Sequence, residues 1–245
     1  MVVALAVLWI LQAASPPAEL AEAAKALEAE KYAEAAALLE KVLAADAADY
    51  RARFNLAFAY SQLRRDADAI AHYNKVLEQQ PDLLPARLNL GLLLLRQKNP
   101  AAAAPHLQAF VEKKPEDFRA QFHLAEALLG SGALDPAARA YRKALEIDPR
   151  SAAAALGLGR SLARLGRIEE ARAEFLRAVE IDPQYADALV ELGDLLEQRQ
   201  QPAQALDLYL EYLKSKPEAI AVRERAGVML LQQKRYKEAV EHLEA

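Results

Sequence analysis

The sequence predicts an all-α chain built from a repeated pair of antiparallel helices. Of its 245 residues, 53% are hydrophobic and 27% are charged, which is apolar enough for a core and too apolar for intrinsic disorder. The chain has only 8 Gly and 12 Pro, too few for a turn-rich sandwich or barrel. Pro81, Pro115, Pro149, Pro183 and Pro217 follow one another at intervals of 34 residues. A fixed period of this length is typical of stacked helical repeats.

The 34-residue period divides the chain from residue 16 onward without insertion or deletion. With the recurring proline set at position 32, the full repeats are 16–49, 50–83, 84–117, 118–151, 152–185 and 186–219, and a partial seventh is 220–245. Position 20 is Ala in every frame, and position 8 is always Ala or Gly. Small residues at two fixed points let two helices pack at short interaxial distance.

Larger apolar residues complete one stripe on each helix of the predicted pair. The first stripe uses positions 7, 8 and 11 of each frame, and the second uses positions 20, 24 and 27. The break between the helices falls near positions 15 to 17, where Gly132, Gly166, Pro100 and Pro202 stand. Each repeat is therefore predicted to be a helical hairpin.

The small residue at position 8, Ala at 20, an aromatic or Leu at 24 and Pro at 32 together resemble the tetratricopeptide repeat family. The resemblance covers about residues 16–245 and is clearest in frames 118–151 and 152–185. It implies a right-handed superhelical solenoid whose first helices line a concave groove. It also implies a non-catalytic scaffold that binds a protein or peptide in that groove.

The resemblance further implies which residues face the groove. Positions 2, 5, 9, 12 and 13 supply apolar residues and arginines: Arg51, Phe54, Phe58, Leu88, Leu92, Arg96, Arg119, Phe122, Arg160 and Arg164. Asn55 and Asn89 stand at position 6, where some family members hold a peptide backbone. Exposed apolar side chains rimmed by arginines suit an acidic and hydrophobic peptide. The alternative is that these residues merely pack between adjacent first helices or against a further part of the same protein.

Other classes of function find little support in the sequence. The net charge of −4 gives no overall basic field, which disfavours a nucleic-acid binder. The absence of Cys removes disulfides, thiolate metal sites and cysteine nucleophiles. No nucleophile elbow, phosphate-binding loop or zinc-protease motif is present, so we expect no catalytic residue, cofactor or metal. His72, His106 and His242 share position 23 and are predicted to be exposed.

The first eleven residues, Met1–Leu11, are uncharged and apolar, and small residues and two prolines follow them. The run is too short to span a bilayer but suits the hydrophobic region of a secretory signal. We expect residues 1–15 to be a signal sequence and the protein to be periplasmic or otherwise extracytoplasmic. The alternatives are a packed apolar helix in a cytoplasmic protein, or a short anchor as the only membrane contact.

The last frame stops at Ala245, position 26, and leaves an apolar face without a following helix. Because solenoid ends are usually capped, we expect either a cut from a longer protein or a partner packed on this face. Three functional hypotheses therefore remain: a peptide-binding scaffold, an assembly factor for a cell-envelope machine, or a regulatory module of a longer enzyme whose catalytic domain lies beyond residue 245. The sequence does not predict the partner's identity or the oligomeric state.

Overall fold

Fourteen α-helices and no strand occur in residues 18–244, which are the residues that the computed structural model describes. The predicted signal segment, residues 1–15, lies outside the described residues. The helices are α1 Ala18–Glu28, α2 Tyr32–Ala45, α3 Tyr50–Gln62, α4 Asp66–Gln79, α5 Leu84–Arg96, α6 Pro100–Lys113, α7 Phe118–Gly130, α8 Leu134–Ile147, α9 Ala152–Arg164, α10 Ile168–Ile181, α11 Asp187–Gln198, α12 Pro202–Ser215, α13 Ile220–Gln232 and α14 Tyr236–Leu243. A short 3-10 turn, Pro183–Ala186, precedes α11.

The helices fall into two compact units, an N-terminal unit that ends at Ser131 and a C-terminal unit that begins at Gly132. In the N-terminal unit, α1 packs on α2, α3 on α4 and α5 on α6, and each pair also contacts the first helix that follows it. In the C-terminal unit, α8 packs on α9, and the pairs α9–α10, α11–α12 and α13–α14 follow. The predicted all-helical repeat fold is confirmed.

Small residues hold the two helices of a pair close together, as the repeat pattern predicts. The position-20 alanines are all fully buried, namely Ala35, Ala69, Ala103, Ala137, Ala171, Ala205 and Ala239. A Cβ atom added at Gly159 would lie 2.5 Å from the ring of Phe175, and one at Gly193 would lie 2.5 Å from the ring of Tyr209. Both rings stand at position 24, so a small residue at position 8 makes room for the large residue at 24 of the same frame.

The turn after each first helix always places position 15 in the left-handed backbone region. Gly132 and Gly166 take φ values of 83° and 80°, which cost a glycine nothing. The other frames put a side chain there, with φ between 55° and 62°: Glu30, Arg64, Lys98, Gln200 and Lys234. The helix break predicted near positions 15 to 17 therefore has one backbone geometry in every frame, whether or not the residue is glycine.

A second contact joins successive frames, between position 24 of one frame and position 6 of the next. In the N-terminal unit the amide nitrogen of Asn89 donates to the hydroxyl of Tyr73 at 3.1 Å. In the C-terminal unit a Cβ atom on Gly157 would lie 2.2 Å from Tyr141, and the guanidinium of Arg225 lies 4.9 Å from the ring centre of Tyr209. The residue at position 6 thus decides how each tyrosine at position 24 is covered.

Candidate functional site

The N-terminal unit contains a cavity of about 240 Å³, formed by the first helices of three successive frames. The lining residues come from α3, α5 and α7: Phe58, Ser61, Gln62, Asn89, Leu92, Leu93, Arg96 and Arg119. Pockets for drug-sized ligands occupy about 300 to 1,000 Å³, so this cavity suits one or two side chains better than a whole small molecule. We call it the N-terminal cavity.

Two arginines line the N-terminal cavity, and they differ in whether their charge is paired. Arg96 donates from Nε to Asp66 at 3.1 Å and from Nη2 to the Ser61 carbonyl at 3.0 Å, so its charge is already paired. Arg119 is exposed, and within residues 18–244 it makes no hydrogen bond or ion pair. Arg119 is therefore the free cation of this cavity.

Asn89 adds a polar group to the wall of the N-terminal cavity. Its amide nitrogen is held by Tyr73, and burial raises the pKa of the Tyr73 hydroxyl, which therefore stays protonated. No hydrogen bond to the Oδ1 atom of Asn89 occurs in the described part of the chain. The side chain is half-buried, so this oxygen can accept a hydrogen bond from a bound peptide N–H.

The expectation that Phe54 and Phe58 are exposed is wrong. Phe54 is 4% exposed and meets Tyr73 edge to face, and Phe58 is 2% exposed and meets Tyr32 in the same way. Phe58 still forms part of the cavity wall, whereas Phe54 does not. Rings contributed by the paired second helix or by the preceding frame cover both phenylalanines, and this packing removes them from the surface.

Asn55 is also buried, so the proposed pair of backbone-holding asparagines reduces to Asn89. Asn55 is fully buried and donates to the carbonyl of Arg51 in its own helix at 2.8 Å. Its Oδ1 atom has no partner among the described residues. The residue at position 24 of the preceding frame is Leu39, which offers no hydrogen bond, whereas Asn89 meets the hydroxyl of Tyr73 at the equivalent place. Asn55 therefore cannot reach a peptide outside the helices.

Three other predicted groove residues line neither cavity described in this section. Arg51 and Leu88 are half-buried, and Arg51 donates to the hydroxyl of its neighbour Tyr50 at 3.4 Å. Phe122 is half-buried, with its ring 6.0 Å from that of Phe118 and 5.4 Å from that of His123. Their role in binding a partner stays a prediction.

The C-terminal unit contains a cavity of about 380 Å³ between α9 and α11, here called the C-terminal cavity. Its walls carry the predicted Arg160 and Arg164, together with Ala163, Phe175, Glu191, Leu192, Asp194, Leu195 and Gln198. Arg160 donates to Glu191 through two hydrogen bonds of 2.6 and 3.0 Å. Arg160, which was predicted to face the groove, is therefore already paired within its own unit.

The acidic residues of α11 are paired as well. Arg225 of α13 binds Asp194 at 2.7 Å and Glu197 at 2.8 Å, and the Tyr209 hydroxyl lies 2.7 Å from each carboxylate. Burial and these two carboxylates raise the pKa of Tyr209, so its hydroxyl remains a donor. The two carboxylates Asp194 and Glu197 are thus neutralised by an arginine of the next frame.

Sequence reasoning missed the residues that form ion pairs with Arg160 and Asp194. The spacing of opposite charges along the chain would have identified them. Arg160 and Glu191 are 31 residues apart, and so are Asp194 and Arg225. Both pairs join position 9 of one frame to position 6 of the next. Opposite charges at this spacing indicate an ion pair between adjacent first helices.

The two histidines at position 23 of the N-terminal unit are not exposed as predicted. His72 and His106 are half-buried, and the Nδ1 atom of each is buried without a hydrogen-bond partner in the described structure. Burial lowers the pKa of both side chains, and Arg53 and Lys75 near His72 and Arg87 near His106 lower it further. At neutral pH both imidazoles are therefore expected to be uncharged.

None of the described helices has the length and apolar character needed to cross a membrane. No three His, Asp or Glu side chains in the described part of the chain are grouped so that they could hold a metal ion.

Solved structures with a similar fold include MamA proteins. MamA MSR-1 is 26% identical with a TM-score of 0.63, over 68% of this chain and 95% of that one. MamA AMB-1 is 28% identical with a TM-score of 0.63, over 66% of this chain and 88% of that one. MamA of Desulfovibrio magneticus RS-1 is 25% identical with a TM-score of 0.61, over 68% of this chain and 94% of that one.

Family comparison agrees with these structural neighbours. A comparison with curated proteins gives no match. Two family models, both described as tetratricopeptide repeat, match residues 88–152 and 187–245, and residues 26–92 and 128–190. The first model alone matches half of the chain, and the two together extend from residue 26 to the end. The chain therefore belongs to the tetratricopeptide repeat family.

Proposed function

We propose that the protein is a non-catalytic scaffold that holds an acidic and apolar segment of a partner protein at the N-terminal cavity. Membership of the tetratricopeptide repeat family supports a role in protein interaction. The observation that carries the finer proposal is the unpaired guanidinium of Arg119 at a cavity whose wall is partly apolar and partly polar. A charged group without an internal partner is available to an external one.

The chemistry of the cavity wall specifies the segment. Among the apolar residues of the wall, Leu92 is half-buried and can contact a leucine-sized side chain of the partner, whereas Phe58 and Leu93 are almost fully buried. A carboxylate next to that side chain can accept two charge-assisted hydrogen bonds from Arg119, since a guanidinium fits a carboxylate with both of its edges. The free oxygen of Asn89 can take one backbone N–H of the same segment.

The size and charge of the site favour a peptide over other ligands. The cavity is smaller than the usual pocket for a small molecule, and a peptide can fill it with one side chain while the rest lies across the surface. A single unpaired arginine at the N-terminal cavity, in a chain of net charge −4, is a poor basis for binding a polyphosphate backbone. An acidic peptide needs only one or two such contacts.

Peptide binding measured by fluorescence anisotropy tests the proposal. We expect a peptide with Glu on both sides of a Leu to bind the protein, and the same peptide with Lys in place of Glu to bind far more weakly. Arg119→Gln should weaken the acidic peptide about tenfold, the value of one charge-assisted interaction. Arg139→Gln is the matched control, because Arg139 is exposed, has no ion pair in residues 18–244 and lies away from both cavities.

Two results would contradict the proposed binding site. One is equal affinity for the acidic and the basic peptide, which would remove the role of the free cation. The other is the same affinity in Arg119→Gln as in Arg139→Gln, which would place any peptide on another surface.

We also propose that the scaffold acts outside the cytoplasm, in cell-envelope assembly. The support is the sequence of Met1–Leu11, whose length and lack of charge suit an export signal. Residues 1–17 fused to a reporter enzyme that is active only after export should give an active reporter. An inactive reporter would refute export, and a mature protein that keeps Met1–Leu11 would refute a cleaved signal.

A further inference from the structure

The last hairpin exposes a continuous apolar surface, here called the terminal stripe. On α14 it consists of Tyr236, Val240 and Leu243, which are 60%, 47% and 44% exposed. On α13 it continues through Val228 and Leu231, which are 49% and 42% exposed. These five residues are among the most exposed large apolar side chains of residues 18–244.

In the preceding hairpin, a helix covers the positions that correspond to Val240 and Leu243. Leu206 and Tyr209 on α12 stand at the same repeat positions as Val240 and Leu243, and both are fully buried. The helix that packs on them is α13, which follows α12 after a short turn and so runs antiparallel to it. The terminal stripe is thus the kind of surface that an antiparallel helix covers elsewhere in this chain.

Charges along α14 specify which helix fits. Lys237 and Glu241 are exposed beside the stripe, one helical turn apart, and neither forms an ion pair in the described structure. Arg235, by contrast, is paired with Glu238. Because the free positive charge precedes the free negative charge, an antiparallel copy of α14 would set each Lys237 opposite the other copy's Glu241. Antiparallel helix dipoles favour the same arrangement.

We propose that a second copy of the chain docks its α14 antiparallel across the terminal stripe and forms a two-fold symmetric pair. The same surface of each copy then forms both sides of the contact, as an isologous interface requires. Val240 lies at the centre of the stripe, with Tyr236 and Leu243 on either side, so both copies bury the same three side chains. The Lys237 and Glu241 contacts flank this apolar centre.

Sedimentation equilibrium of the full chain tests the pair. We expect the chain to form a dimer, and Val240→Glu to make it a monomer with an unchanged circular dichroism spectrum. The substitution should leave the fold intact because Val240 is half-exposed. A wild-type chain that is monomeric at every concentration overturns the proposal.

Charge reversal tests the antiparallel register. Lys237→Glu alone and Glu241→Lys alone should each weaken the dimer by about tenfold, since two attractive contacts become repulsive in each variant. An equimolar mixture of the two variants should recover wild-type affinity, because every contact in the mixed dimer is again between opposite charges. A parallel pair predicts a different pattern: each single variant would associate as the wild type does, and the mixture would associate more tightly than the wild type.

The matched controls are Lys41→Glu and Glu78→Lys, which make the same changes in charge on exposed residues of α2 and α4. They should leave association unchanged. A dimer that ignores the reversals at α14, or a mixture that fails to recover, overturns the proposal and assigns association to another surface or to residues 1–17.

Discussion

The N-terminal and C-terminal units build a cavity between the same repeat positions, but they treat its charges in opposite ways. In the N-terminal unit Arg119 has no partner, while in the C-terminal unit Arg160 is held by Glu191 and the carboxylates of α11 are held by Arg225. The repeat therefore fixes where a surface residue lies. At position 9, the residue 31 places further along the chain decides whether a charge is paired, as Glu191 does for Arg160 and Arg225 does for Asp194.

The two units also differ at the contact between position 24 and the next frame's position 6. Asn89 hydrogen-bonds Tyr73 in the N-terminal unit, and Gly157 leaves room for the ring of Tyr141 in the C-terminal unit. One unit uses a polar contact and the other uses close packing. Each contact should therefore tolerate a different residue.

Exchanging these two position-6 residues should give the largest effects on stability. Gly157→Asn places a Cβ atom 2.2 Å from the buried ring of Tyr141 and should lower the free energy of unfolding by about 1 to 3 kcal/mol. Asn89→Gly loses one hydrogen bond and adds a helical glycine, and should cost about 1 to 2 kcal/mol. Urea unfolding followed by circular dichroism measures both. A Gly157→Asn variant as stable as the wild type would show that the two contacts are interchangeable.

Exchanging the turn residues at position 15 should have a smaller effect, with opposite signs in the two units. Lys98→Gly relieves a side chain at φ 55° and should stabilise the N-terminal unit by about 0.5 to 1 kcal/mol. Gly132→Lys introduces that strain at φ 83° and should destabilise the C-terminal unit by about 1 kcal/mol or more. Thermal melting with amide exchange read separately in each unit checks the signs. Destabilisation by Lys98→Gly would refute the strain argument.

The smallest expected effect is a pH dependence confined to the N-terminal unit. Burial lowers the pKa values of both His72 and His106. At His72, Arg53 and Lys75 lower the pKa further, while Asp68 and Glu40 act in the opposite direction. At His106, Arg87 lowers the pKa further. The unfolded chain binds protons at its ordinary pKa of about 6.5, whereas the folded chain does not. Stability is therefore complete above about pH 6.5 and falls as the pH drops toward the folded pKa values.

Amide exchange of the N-terminal unit near pH 7.5 and near pH 5.5 measures this dependence after correction for intrinsic exchange rates. His72→Gln together with His106→Gln should flatten it. A wild-type unit that becomes more protected at the lower pH would mean that the histidines gain stability on protonation, contrary to the burial of their Nδ1 atoms.

Sequence reasoning predicted the hairpin pattern well because it depends on residues that repeat. Ala at position 20 and small residues at position 8 are constrained by the helix crossing in every frame, so their spacing alone identifies the contact. The candidate site was predicted less well, because Phe54 and Phe58 are covered by Tyr73 and Tyr32 from other helices. Periodicity gives the face of a helix on which a side chain lies, but the burial of that face depends on the neighbouring side chains.

Isothermal titration of the Leu and Glu peptide with two charge variants tests the central claim most directly. Arg119→Glu should weaken binding by at least about tenfold, because it removes the free cation. The exchanged pair Arg160→Glu with Glu191→Arg keeps an internal ion pair and should bind the peptide as the wild type does. Wild-type affinity in Arg119→Glu, with loss of binding in the exchanged pair, would contradict the claim and place the partner in the C-terminal unit.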